Sequence, residues 1–308
     1  MSDAGGTKSS KPNIPIWVAY GMLIMTAVFW SATAVAVRAS AGDIPPHSFT
    51  FWRWTIAFLL FMPFAAKPFW QQRAIYRKHW LMMSGLSFTG ITGFTIFYFL
   101  GLQVTTAINA SVLSGATPIA IVIVSFVILR IKLTPTVIAG TVLGIIGSLV
   151  IILNGDLNAI STMKFGVGDL FIVAAMTSWA VYTVCLKWLP PDLDPFGLIL
   201  VLTGLSIPMV LPFYMWEIAQ GQFFDLNFKN VGLILFTAIF PSVVAYLFWN
   251  KGVEVAGPNA AGFSSYLIPA FGTVLSVLLL GESFQLFHAI AIALIFAGLY
   301  LGMRVQQA

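Results

Sequence analysis

Twelve polar and aromatic residues lie where they could bind a small molecule inside a strongly apolar chain. Each has a hydroxyl, an amide or an aromatic ring, and none has a formal charge. Such groups can bind a carboxylate or an ammonium without placing a protein charge in apolar surroundings. Aromatic rings can also stack on an apolar side chain or hold a cation over the ring face. These candidate cavity residues are Trp30, Thr95, Tyr98, Asn109, Ser114, Trp179, Tyr182, Tyr246, Trp249, Asn250, Ser265 and Tyr266.

Charged residues are almost absent from the same stretches. Asp169, Glu217 and Glu282 fall at the ends of apolar runs or in turns. Carboxylates inside a membrane are the usual relays for protons and cations, and none lies at the centre of an apolar run here. Arg53 does lie inside an apolar run. We interpret it as a structural residue whose charged end reaches the membrane surface, with attraction of a substrate carboxylate as the alternative.

The sequence offers no constellation typical of an enzyme. It contains neither the His-Glu-x-x-His pattern of metalloproteases nor a phosphate-binding loop, and its histidines, His47, His79 and His288, are scattered. The single cysteine, Cys185, cannot form a disulfide within the chain and is interpreted as a packing residue. We therefore expect no catalysis, no cofactor and no metal site.

The composition indicates an integral membrane protein made of helices. Of 308 residues, 59% are hydrophobic and only 8% are charged, whereas soluble domains have roughly 25% charged residues. No Asp, Glu, Lys or Arg occurs between Lys78 and Arg130. A helix needs about 20 residues to cross the bilayer core, so this uncharged stretch is long enough for two crossings.

Apolar runs and the residues that end them predict ten transmembrane helices, and residues 1–13 are predicted to form a disordered cytoplasmic tail. The predicted spans, numbered 1 to 10 in order, are 16–37, 48–66, 80–99, 107–128, 134–153, 168–188, 195–214, 229–249, 259–279 and 284–303. With the N-terminus in the cytoplasm, eleven Lys and Arg residues fall on the cytoplasmic side and three on the other. The positive-inside rule then predicts that both termini are cytoplasmic. The net charge of +5 is therefore read as a sign of membrane orientation and not of nucleic-acid binding.

A weak internal repeat divides the chain into halves of five spans, residues 14–154 and 155–308. A shift of 151 residues places Gly101 on Gly252 and Pro118 on Pro269, and a shift of 149 places Trp30 on Trp179. Five spans is an odd number, so the second half enters the membrane from the opposite side. Inverted repeats with paired helix breaks are typical of alternating-access transporters, and the breaks point to the substrate site.

The paired prolines predict helix kinks that line a central cavity, with a simple packing kink as the alternative. Neighbouring helices or cavity water would satisfy the backbone carbonyls that each proline frees. The tryptophans at span ends are interpreted instead as anchors at the membrane interface: Trp17, Trp52, Trp54, Trp70, Trp80, Trp188 and Trp216. The Gly-x-x-x-Gly patterns at 140–144 and 298–302 predict close helix packing or dimerisation.

Four segments resemble the EamA-type transporters of the drug/metabolite transporter superfamily. They are VFWSATAVAVR (28–38), WRWTIAFLL (52–60), FLGLQVTTAINASVLSGATPI (99–119) and GVEVAGPNAAGFSSYLIPAFGTVLSVLLLGES (252–283). The order of the motifs is specific although each motif is loose. One departure is Arg130-Ile131-Lys132, where family members often have a glutamate, so that Glu282 has no counterpart in the first half.

This resemblance implies export of metabolites through a cavity between the halves. The chain is most similar to the YddG-type exporters of aromatic amino acids, which implies export of aromatic or large neutral amino acids from the cell across the inner membrane. The absence of a carboxylate at the centre of any predicted span favours facilitated diffusion over an obligatory proton antiporter. We expect a monomer or homodimer. A proton-coupled exporter of drugs or cations is the alternative, followed by a channel. The expected motion is rocking of spans 3, 4 and 6 against spans 8, 9 and 1.

Overall fold

The computed structural model describes residues 14–40, 43–156, 164–190 and 192–304, and the predicted tail of residues 1–13 lies outside them. These described residues form helices and no strand. In chain order the α-helices are α1 (Ile16–Ser40), α2 (Pro46–Lys78), α3 (Trp80–Ser87), α4 (Gly93–Val104), α5 (Ala107–Gly115), α6 (Thr117–Leu129), α7 (Pro135–Ile152), α8 (Val167–Cys185), α9 (Pro195–Ala219), α10 (Phe228–Thr237), α11 (Ala245–Ser264), α12 (Leu267–Leu280) and α13 (Leu286–Arg304). Two π-helical segments, Phe88–Thr92 and Ala238–Val244, join α3 to α4 and α10 to α11.

Eight helices in the described residues are long and apolar enough to cross a membrane, and α5 with α6, bent by 41°, makes a ninth if the pair is one span. The prediction of ten spans stays a prediction, because Phe228–Ser264 is a single run of 37 residues and Leu267–Leu279 is short. Within that run, however, Gly257 has φ 85° and ψ 163°. This conformation is open to glycine and is not helical, so the chain breaks its helix there.

The breaks in the two halves of the chain match under the predicted shift of 151 residues. Gly257 corresponds to Thr106, which separates α4 from α5. The π-helical segments also correspond, with Gly90 placed on Pro241. The irregular backbone therefore follows the same repeat as the sequence.

Tight helix contacts follow the repeat as well. A Cβ atom on Gly101 would lie 2.6 Å from the Ile172 side chain of α8, and one on Gly252 would lie 2.4 Å from the Leu23 side chain of α1. The shift of 149 residues places Leu23 on Ile172. Each half thus supplies one glycine that a helix of the other half approaches closely, and in both cases the neighbouring side chain is a branched aliphatic one.

Helix packing groups the spans as the sequence predicted. Helix α1 packs against α11 and α12, and α8 packs against α4 and α6. These are the predicted groups of spans 8, 9 and 1 and spans 3, 4 and 6. The rocking of one group against the other stays a prediction.

Two further helix pairs flank these groups: α2 with α9, and α7 with α13. Glycines allow the close contact between α7 and α13. A Cβ on Gly140 would lie 2.7 Å from the Gly298 carbonyl oxygen, and a Cβ on Gly298 would lie 2.7 Å from the Gly140 carbonyl oxygen. The two Gly-x-x-x-Gly patterns therefore pack on each other within one chain. Helix α2 continues through Pro63 and Pro68 to Lys78, well beyond the predicted end at residue 66.

Candidate functional site

Five aromatic residues meet where the two helix groups face each other. We call them the central aromatic cluster: Trp30, Trp179, Tyr182, Tyr246 and Trp249. The rings of Trp30 and Trp179, which the repeat pairs, meet edge to face with centroids 5.2 Å apart. The Trp249 ring lies 5.1 Å from Trp30 and 5.3 Å from Trp179. These five are among the twelve candidate cavity residues of the sequence analysis, and their role in lining a substrate cavity stays a prediction.

Three hydrogen bonds in this cluster join one helix group to the other. The Tyr182 hydroxyl donates to Asn250 Oδ1 at 2.6 Å, and Trp249 Nε1 donates to Thr183 Oγ1 at 3.2 Å. The Tyr246 hydroxyl donates to the Gly90 carbonyl at 2.6 Å. The bonds of Tyr246 and Trp249 are buried, whereas Asn250, the acceptor for Tyr182, is half-buried. The three bonds link α11 to α8 and to the first π-helical segment.

The π-helical segments supply backbone acceptors to this region. A π-helical turn shifts the usual hydrogen-bonding pattern of a helix and is frequent at functional sites. The Pro241 carbonyl accepts a hydrogen bond from Trp30 Nε1 at 3.1 Å, and the Thr89 carbonyl accepts one from the Ser178 hydroxyl at 3.0 Å. Each segment is therefore fixed by a side chain from a helix that packs beside it.

Prolines free carbonyls that neighbouring hydroxyl groups then satisfy. Pro118 has no N–H to donate to the Ser114 carbonyl, which instead accepts from the Thr117 hydroxyl at 2.5 Å. Pro241 frees the Thr237 carbonyl in the same way, and the Ser242 hydroxyl donates to it at 2.7 Å. Pro118 lies in the first turn of α6, after the bend that follows α5.

Pro269 occupies the equivalent place in the first turn of α12, after the turn at Ser265 and Tyr266. The Ser265 carbonyl, which this proline frees, accepts from the Ile268 amide at 3.1 Å. The expected pair of helix breaks is therefore present. Whether these kinks line a transport route stays a prediction.

The remaining predicted residues lie at different places. Tyr98 stacks on Phe94, with ring centroids 6.0 Å apart, and Phe94 reaches Trp179 at 5.8 Å. The Thr95 hydroxyl donates to the Ile91 carbonyl of the preceding π-helical segment at 2.7 Å, and the Ser114 hydroxyl donates to the Ala110 carbonyl of its own helix at 2.7 Å. The half-buried Ser265 lies at the break before α12.

Two predicted residues are part of structural contacts away from the cluster. Asn109 Nδ2 donates to Asp169 Oδ1 at 3.1 Å and to the Lys164 carbonyl at 2.9 Å, which ties α5 to the start of α8. The Tyr266 ring fills the space beside Gly144 of α7. The sequence predicted how far along a span each of these residues lies, but not which face of the helix it occupies.

Trp54 is the aromatic residue that sequence reasoning misplaced. The interpretation as an interface anchor is wrong, because the side chain is buried and its ring lies 5.2 Å from that of Tyr246. Its neighbour Trp52 is exposed. Residues two positions apart on a helix point to different sides, so only one tryptophan of this pair can face the lipid, and that rule was the available signal.

Arg53 also points inward. Its Nε donates to the Ser242 hydroxyl at 2.5 Å, and its guanidinium carbon lies 5.2 Å from the centroid of the Trp54 ring. No carboxylate of the described residues lies within salt-bridge distance of it. The interpretation that this side chain reaches the membrane surface is therefore wrong.

Both buried carboxylates among the described residues bind groups at helix starts. Glu217 accepts from the backbone amides of His47 at 2.8 Å and Ser48 at 2.6 Å. Asp169 accepts from the Gly166 amide at 2.6 Å as well as from Asn109. A carboxylate is favourable at the positive end of a helix, so these two acids are engaged outside the cluster.

A cavity of about 570 Å³ opens near the loop between α1 and α2. We call it the Asp43 cavity; its walls include Asp43, Phe49, Phe99, Gln222 and Phe223. A line of aromatic rings leads from Phe99 through Tyr98 and Phe94 to Trp179, with successive centroids 6.2, 6.0 and 5.8 Å apart. Phe99 of the cavity is thus linked to Trp179 of the cluster by successive ring contacts.

Comparison with known proteins gives one family and several relatives. The EamA-like transporter family matches residues 17–153 and 166–304. An uncharacterized transporter of Archaeoglobus fulgidus is 28% identical over 289 residues, 93% of this chain and 97% of its own. The uncharacterized transporter YyaM of Bacillus subtilis is 26% identical over 91% of both chains.

A further relative is the uncharacterized inner membrane transporter YhbE of Escherichia coli, 26% identical over 70% of this chain and 69% of its own. A solved crystal structure covers 94% of this chain and 98% of its own, with a TM-score of 0.75 and 21% identity. This structural likeness shows the fold alone.

Proposed function

Because the chain belongs to the EamA-like transporter family and is therefore a multi-pass membrane transporter, we propose that it exports amino acids, preferably aromatic or large neutral ones. The observation that supports this most is the central aromatic cluster, which lies between the two helix groups and connects to the Asp43 cavity. Aromatic faces suit an aromatic or large apolar side chain.

The transport mechanism we propose is alternating access between two inverted halves of five spans each. The spans would number ten, with both termini in the cytoplasm and the protein in the inner membrane as a monomer or homodimer. The Asp43 cavity would then face outward. The hydrogen bonds of Tyr182, Tyr246 and Trp249 would close the cytoplasmic side and would break when that side opens.

Facilitated diffusion agrees with the placement of the carboxylates. The two buried acids, Asp169 and Glu217, are held by hydrogen bonds at helix starts. Neither lies in the cluster, where a proton or cation relay would be expected. The alternative, proton-coupled efflux of cationic drugs, is disfavoured also by Arg53, because a positive charge beside the cluster repels a cationic substrate.

The test is transport by the purified protein in liposomes. Labelled phenylalanine, leucine, lysine and a quaternary ammonium ion are compared with and without an imposed proton gradient, and protein-free liposomes are the control. We expect saturable movement of phenylalanine, and more weakly of leucine, without a gradient. Movement of the quaternary ammonium ion alone, or movement that requires the proton gradient, would contradict the proposal.

A further inference from the structure

Arg53 is a half-buried cation that lies close to the cluster, with no carboxylate of the described residues within salt-bridge distance. It is the eighth residue of α2, so at 1.5 Å per residue it lies about 10 Å beyond the helix start. It shares a helix face with the buried residues Thr50 and Ala57 and contacts the π-helical segment through Ser242. An arginine inside a membrane protein that faces the interior is typical of a functional site.

The hydrogen bonds of Arg53 are incomplete. Its guanidinium has five N–H donors, of which only the one on Nε is bonded within the described residues, to Ser242. Ser242 can accept it because its own proton is donated to the Thr237 carbonyl. Four donors on the two terminal nitrogens therefore remain, in the planar arrangement that binds a carboxylate with two parallel hydrogen bonds.

We infer that the terminal nitrogens of Arg53 bind the carboxylate of the transported molecule. A charge inside the membrane is costly unless it is paired, and the buried acids of the described residues are engaged at helix starts. The aromatic rings needed for the remainder of the substrate are close by, because Trp54 lies against both Arg53 and Tyr246. The site would thus take an organic acid with an apolar or aromatic body.

This inference rests on the proposed function, since it assigns the group that recognises the amino-acid carboxylate. The inference also goes beyond the proposed function, because it makes the carboxylate the group of the substrate that the site requires. No buried acid of the described residues is placed to hold an ammonium in the cluster. A substrate without an amino group, such as 3-phenylpropionate, should therefore be accepted, and phenethylamine, which has no carboxylate, should be rejected.

The test uses phenylalanine, 3-phenylpropionate and phenethylamine with wild-type protein in liposomes, together with Arg53→Gln and Arg53→Lys. Arg73→Gln is the matched control, because Arg73 lies on the same helix at an exposed position. Loss of one partner from a buried charge pair predicts that Arg53→Gln raises the concentration for half-maximal phenylalanine transport roughly 30-fold or more. Arg53→Lys should retain part of the affinity, and Arg73→Gln should retain all of it.

If Arg53→Gln does not fold, ligand binding to the wild-type protein tests the inference without a variant. Phenylalanine and 3-phenylpropionate should raise the melting temperature of the wild type in detergent, and phenethylamine should not. Equal phenylalanine transport by Arg53→Gln and Arg73→Gln would overturn the role of Arg53 and leave the proposed function intact. Transport of 3-phenylpropionate without phenylalanine would overturn the proposed function and support the role of Arg53.

Discussion

Replacing Tyr182 with phenylalanine removes one hydroxyl from the contact between the two helix groups. That hydroxyl donates to Asn250 at 2.6 Å, and Tyr182 is fully buried. A neutral hydrogen bond contributes about 1 kcal/mol net. If the bond is present only while this side of the cluster is closed, its loss should raise the population that is open on this side about fivefold.

The native cysteine provides the assay. Cys185 lies one turn after Tyr182, is partly buried and packs against the same core as the cluster. Its rate of modification by a maleimide should therefore follow the population open on this side, and Tyr182→Phe should raise that rate about fivefold. No second cysteine competes for the reagent.

The matched control is Tyr214→Phe. Tyr214 stacks on Phe51 with centroids 4.4 Å apart, and its hydroxyl has no hydrogen-bond partner among the described residues. Its loss should leave the labelling rate unchanged. If Tyr182→Phe is labelled no faster than Tyr214→Phe, the bond to Asn250 does not hold this side closed and the reasoning is refuted.

Two further predictions concern stability, measured as the melting temperature in detergent. Asp169→Ala should lower the free energy of unfolding by about 2–4 kcal/mol, because its buried carboxylate accepts from Thr105, Asn109 and the Gly166 amide; an unchanged melting temperature would contradict this role. Gly298→Ala should cost about 1–3 kcal/mol, because the new Cβ would lie 2.7 Å from backbone atoms of α7. Gly232→Ala, where a Cβ meets no atom within 4 Å, is the control, and equal melting temperatures of the two variants would show that the α7–α13 contact is not tight.

The sequence predicted much of the architecture because a repeat and a membrane both restrict it. Paired positions such as Trp30 with Trp179 and Pro118 with Pro269 were visible in the sequence, and both pairs occupy equivalent places in the structure. Long apolar runs gave the approximate helix bounds. The bound at residue 66 was too early, because α2 continues through Pro63 and Pro68 to Lys78.

What the sequence did not predict is mainly the rotation of each helix about its axis. Soluble helices have an apolar stripe that indicates the buried face, but lipid-facing and buried residues are both apolar here. Trp54 and Arg53 were therefore assigned to the wrong surroundings, and Asn109 and Tyr266 were grouped with a cluster that neither of them joins. The π-helical segments were missed because they have the same composition as the α-helices around them.

The central claim is that the substrate passes through the cluster, and phenylalanine flux in liposomes tests it most directly. Trp30→Ala and Trp179→Ala are compared with Trp17→Ala, whose side chain is exposed at the start of α1, after equal amounts of folded protein are reconstituted. Because Trp30→Ala and Trp179→Ala remove aromatic contact with the substrate, we expect their phenylalanine flux to fall about tenfold or more. The flux of Trp17→Ala should equal that of the wild type. Equal flux in all three variants would contradict a route through the central aromatic cluster.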